Sequence, residues 1–187
     1  MCVFLVLPAA LIASGHGDLP YRPAPGRDFI LVTDFIAGFP VDLSSERNGK
    51  LDLSTELGLL LRLDEGHHLG PAVSFGCWLD GGWHSRWGVS ARYRLELSER
   101  MCVDVAPGLI LSDSPYPDGF AGFSLGASLV MDSWIGLHAR LDATESLPEG
   151  TDTVLRLGLG IGGEPGLYTS AAASVAGLIA WRVSEMD

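Results

Sequence analysis

Lysine is nearly absent from this chain. Its 187 residues include one, Lys50, and charged residues make up only 19%. Soluble domains usually carry about a quarter charged residues, so the ordinary lysine-rich soluble surface is missing. Long apolar runs are missing too. No stretch reaches the roughly 18 consecutive apolar residues that a spanning helix requires. Basic charge is scarce: the net charge is −11 and the isoelectric point about 4.7. That balance argues against nucleic acid as a partner, because phosphate binding needs a basic face. Cysteine is sparse and unpatterned. Cys2, Cys77 and Cys102 form neither a C-x-x-C pair nor a Cys/His ligand set. What is present in excess is apolar mass (47%) and glycine (24 residues), with a mean hydropathy of +0.26. Disordered chains are poor in apolar residues, so disorder is excluded.

The N-terminus has the order of a secretory signal. An apolar run, Val3 to Ile12, is followed by small residues Ala13-Ser14-Gly15 and then by His16-Gly17-Asp18. No basic residue precedes the run. The expected division is a signal segment at 1–15, a periplasmic linker at 16–27, one barrel domain at 28–183 and a tail at 184–187.

From Leu51 onward the dominant period is two, the period of a strand. Leu51, Leu53, Thr55, Leu57, Leu59, Leu61 and Leu63 alternate with Asp52, Ser54, Glu56, Gly58, Leu60 and Arg62. At about 3.3 Å per residue such a strand reaches roughly 40 Å, long for a soluble protein. The contrast recurs around Val73, Val89, Val105, Ala127, Leu137 and Leu157. It recurs again from Leu167 to Trp181, where an alanine-rich helix competes. Phe29 to Phe39 alternates less cleanly. Turn residues separate the runs, at Asp64-Glu65-Gly66, Asp80-Gly81-Gly82, Ser98-Glu99-Arg100, Asp132-Ser133 and Gly163-Glu164-Pro165-Gly166 among others. The spacing leaves no room for crossover helices, so the strands form antiparallel hairpins. Longer connections near 39–49, 113–119 and 144–152 alternate with tight ones. One end of the sheet thus has turns and the other has loops, the asymmetry of outer-membrane barrels. The fold expected is an all-β, antiparallel up-and-down (meander) transmembrane β-barrel of about eight strands, within eight to ten. Counting Phe29–Phe39 gives nine; eight from Leu51 onward, or ten, restores an even number.

The two faces differ in kind. One carries Leu, Val, Ile, Phe and Trp; the other carries Gly, Ser, Ala and scattered charges. A polar face this small-sided cannot be a soluble exterior, so the apolar face is assigned to lipid and the polar face to a narrow lumen. Closure removes sheet edges, whose backbone groups would be unsatisfied in hydrocarbon. Trp83, Trp87, Tyr93, Phe120, Trp134, Tyr168 and Trp181 fall mostly near strand ends, where interfacial girdles place aromatic rings.

On this pattern, Phe29 to Val183 resembles the small outer-membrane β-barrels of Gram-negative bacteria, the class with OmpA-like, OmpX-like and OmpW-like domains. The resemblance implies the outer membrane as location, with outer-membrane lipid and the barrel assembly machinery as partners; the oligomeric state stays open, with a monomer favoured. Members of the class end their last strand on an aromatic residue; this chain ends Trp181-Arg182-Val183-Ser184-Glu185-Met186-Asp187.

The inward candidates are Asp52, Glu56, Arg62, Arg86, Arg92, Arg94, Glu96, Asp104, His138, Arg140, Asp142, Arg156 and Arg182. Glu56, Arg62, Arg92, Arg94, Glu96, Asp104, His138, Arg140 and Arg156 are expected to form a lumen charge network, since an unpaired buried charge costs several kcal/mol. A narrow pore for small solutes or ions is the alternative, if the charges line water. A lipid-modifying enzyme of the lipid A deacylase type would use His138, but position 140, where its serine should stand, is Arg. No catalytic residue is therefore assigned. A soluble barrel with an apolar ligand inside is the remaining alternative. His67-His68 supplies too few ligands for a metal. Gly158 to Gly162 lies within a strand and cannot cradle a phosphate. Neither a cofactor nor a metal is expected, and the acidic connections are solvated loops.

Overall fold

The computed structural model describes residues 28–41, 51–79, 83–113, 121–132, 134–146 and 150–172. Eight strands run in chain order: β1 (Phe29–Val41), β2 (Asp52–Asp64), β3 (His67–Leu79), β4 (Trp83–Ser98), β5 (Met101–Asp113), β6 (Gly122–Met131), β7 (Ile135–Ser146) and β8 (Gly150–Gly162). Each pairs antiparallel with the next, and β8 returns to β1 through a register running from Asp34↔Gly162 to Val41↔Leu155. The sheet is a closed barrel, an antiparallel meander.

The alternation in the sequence becomes the two sides of the wall. Leu59, Leu61, Leu125, Leu137, Leu157 and Leu159 are 45–63% exposed on the outside. Their neighbours in sequence point inward, and the interior is where the charges are. Cys77 is part-exposed and Cys102 buried; both thiols are free.

Two expectations are corrected. First, the eight strands start at Phe29, not at Leu51. β1 reads poorly because Ile30, Val32 and Ile36 share the inward side with Asp34, so both sides are apolar. Second, residues 163–172 form a helix, α1, rather than the opening of a further strand. The barrel is already closed at Gly162, which pairs with Asp34. β8 stops opposite Asp34, so Phe29–Thr33 of β1 have no β8 partner, and the chain beyond Gly162 satisfies its own backbone as a helix instead of extending that ladder. Gly163 leaves β8 in the left-handed region (φ 65°) that glycine tolerates. Thr33 donates its hydroxyl hydrogen to the Gly163 carbonyl. A Cβ on Gly166 would lie 2.6 Å from the Thr33 carbonyl oxygen, so α1 lies close against β1. Leu167 and Ser170 of α1 are buried. The signal segment, the linker and the tail, with Trp181 and Arg182, lie outside the described residues.

Glu65–Gly66, Glu99–Arg100 and 132–134 separate the strands at one end, and 42–51, 80–82, 114–121 and 147–149 at the other. The long connection expected near 144–152 is also corrected: β7 and β8 extend to Ser146 and from Gly150, which leaves three residues between them, as many as in 132–134. Gly66 (φ 76°) makes the first tight turn possible, and its carbonyl accepts from the Glu96 amide at 2.8 Å.

Candidate functional site

Inside the wall the charges gather in two layers. The layer nearer the tight turns centres on Arg92, which is 1% exposed. Its guanidinium meets Asp34 at 2.7 Å and Glu56 at 3.3 Å, and it also bonds Asp104. Arg94 adds a fork to the same Asp104, with both bonds at 2.7 Å. Residues 92 and 94 can both reach because period two puts them on one side of β4. The register then sets Arg94 opposite Asp104. Ser90 donates to Glu56 at 3.4 Å. Closer to the turns, His68 lies 3.3 Å from Glu96, and Ile30, Val32 and Leu60 form a buried apolar cluster.

The second layer, nearer the loops, centres on Asp142. Arg140 bonds its Oδ1 at 2.7 Å, Arg86 approaches its Oδ2 at 3.1 Å, and Arg156 bonds the same Oδ2. Arg86 and Arg156 both reach across to Asp52, at 3.5 and 2.7 Å. The Arg156–Asp52 bond joins residues 104 positions apart. Arg86 also lies over the Trp78 ring, which stacks on His84.

Between the layers is a chamber of about 60 Å³, room for a handful of water molecules. Ser54, Ser74, Ser90, Ser124 and Ser128 line it, with Glu56 and Arg92 on one side and Arg140 and Arg156 on the other. His138 also lines it. Its ring fills the space over two glycines: a Cβ on Gly160 would lie 2.2 Å from Nε2, and one on Gly136 2.7 Å. Gly160→Ala must therefore displace the ring. It is expected to cost about 1–3 kcal/mol by overpacking, read as a lower urea midpoint in detergent. Adding His138→Ala should recover part of the loss; a neutral Gly160→Ala would show that the ring is not held there.

Eight of the nine charge-network candidates face this interior. Arg62 does not join them. It has the inward parity and pairs with His68 in the register, but it is exposed at the rim, where β2 ends in a bulge. Solvent at that height removes the need for a partner. The sequence reading missed Asp34, whose strand has no clean period. It had Asp52, Arg86 and Asp142 on the inward face without placing them in the network, although they hold the second layer together.

The aromatic candidates divide by position. Trp87 lies on the outer side of β4, towards the loops. Tyr93 lies towards the turns, its hydroxyl 2.6 Å from His67 Nδ1. Trp134 is exposed at a tight turn. Tyr168 is exposed, but on α1 rather than at a strand end, and its hydroxyl donates to Glu164 at 3.2 Å. Trp83 opens β4; its side chain, like Phe120 and Trp181, is outside what is described. Phe29, Phe39 and Phe123, all exposed near strand ends, were not singled out from the sequence. Among the described residues no three His, Cys, Asp or Glu side chains are grouped to hold a metal ion.

No family model matches this chain, and no curated protein matches it. Among solved structures it is similar to the Yersinia pestis outer membrane protein Ail in a phospholipid bilayer nanodisc, with 12% identity and a TM-score of 0.39 over 71% of this chain and 99% of that one. The crystal structure of Ail, the attachment invasion locus protein of Yersinia pestis, gives 11% identity and a TM-score of 0.38 over 72% and 97%. The architecture itself is an eight-stranded, closed antiparallel β-barrel.

Proposed function

We propose that this protein is an outer-membrane β-barrel without enzymatic activity, acting structurally or by interaction through its lipid-facing band and its external loops. One observation carries the reading: the wall is inside out for water. Leu159 (63%), Phe123 (62%) and Leu61 (55%) are exposed, while Arg92 and Asp104 are 1% exposed inside. A soluble barrel hides its apolar side chains; a membrane barrel turns them to lipid. The end with Glu65–Gly66 and Glu99–Arg100 then faces the periplasm, and the end with 42–51 and 114–121, the two longest connections, faces the exterior. Outer-membrane lipid and the assembly machinery are the partners this implies.

The interior supports a filled lumen over a pore. Arg92 of β4 meets acids from β1, β2 and β5 below the chamber, so these charges pair with one another instead of lining water. The interior also supports a non-enzyme. His138 faces Ser128 and Gly158 across the ladders, inside the wall, where a lipid ester outside cannot reach it. The test is fractionation of the expressed protein with gel mobility before and after boiling in detergent. Recovery in the outer membrane with a heat-shifted band is expected. A soluble, detergent-independent monomer would overturn the reading.

A further inference from the structure

We infer that the chamber between the two ionic layers binds a small monovalent anion, held by the terminal guanidinium nitrogens of Arg140. Arg140 touches Asp142 through Nε alone, at 2.7 Å to Oδ1. Oδ2 of Asp142 goes to Arg86 and Arg156 instead. Its side chain is 21% exposed, against 2% for Arg86 and 11% for Arg156. It lines the chamber together with Ser124 and Ser128, whose hydroxyls can donate to the same ligand.

Size and charge define the class. A space of about 60 Å³ takes a halide, nitrate or formate. Glu56 lines the opposite side of the chamber. Its carboxylate repels a dianion more than a monoanion, which selects against phosphate and sulfate. The site depends on the barrel interior and not on which compartment holds the barrel.

The test is chloride-35 NMR on the full chain in detergent micelles. The wild type should broaden the chloride line beyond empty micelles, saturably, and nitrate should reverse it. Arg140→Met should reduce the broadening at least about fivefold. Glu56→Gln, which removes the repelling charge, should tighten chloride by about threefold or more. The heat-shifted gel band checks folding in each variant. Broadening equal in Arg140→Met and wild type, or none in wild type, would overturn the site. An unchanged Glu56→Gln affinity would overturn its placement in the chamber. If Arg140→Met does not fold, the Glu56→Gln result decides alone, because it moves affinity the other way.

Discussion

Arg92→Met should lower the unfolding free energy of the barrel by about 3–5 kcal/mol, the range for breaking a buried ion pair from one side. Asp34, Glu56 and Asp104 all converge on that guanidinium. Without it, Asp104 keeps Arg94, while Asp34 and Glu56 lose the ionic partner that compensates their burial. The measurement is urea unfolding in detergent micelles. Because the penalty is that of stranded carboxylates, adding Asp34→Leu to Arg92→Met should restore part of the loss, with a coupling of about 0.5–3 kcal/mol. A loss below about 1 kcal/mol for Arg92→Met would mean that water enters the interior freely enough to solvate these charges. The paired interior would then be wrong.

Leu157→Arg should be nearly as costly, for a reason on the other side of the wall. Leu157 is 47% exposed, next in β8 to Arg156 of the loop-side layer and beside the chamber. If lipid covers it, an arginine there costs about 2–4 kcal/mol. If water covers it, the change stays within about 0.5 kcal/mol, as for ordinary surface positions. Refolding into lipid vesicles, with the unfolding free energy measured there, separates the two. A neutral result would remove the lipid-facing band and leave the soluble barrel as the reading.

These two substitutions mark how far the sequence could be read. The strict alternation in β4 put Arg86, Arg92, Arg94 and Glu96 on one side without any structure, because strand period is local. The same argument failed in two places. β1 buries Ile30, Val32 and Asp34 together, so no polar and apolar alternation betrays the inward acid. Arg62 has the right parity but the wrong height, and height is not encoded by period. The alanines after Leu167 are compatible with strand and helix alike, and the helix at 163–172 is seated on a residue far away in sequence, Thr33 of β1.

The amino-acid sequence by itself determined the antiparallel hairpins and, from β2 onward, which side of each strand is apolar. These follow from side-chain period and turn chemistry between residues that are neighbours in the chain. Only the tertiary structure decided where the barrel closes and which acid meets which base. Arg156 finds Asp52, 104 residues away, because the β8–β1 closure brings β8 within reach of β2 inside the barrel. Such pairings depend on the register of every intervening strand. A shift of a single residue in any of them turns a charge from the interior to the outer face.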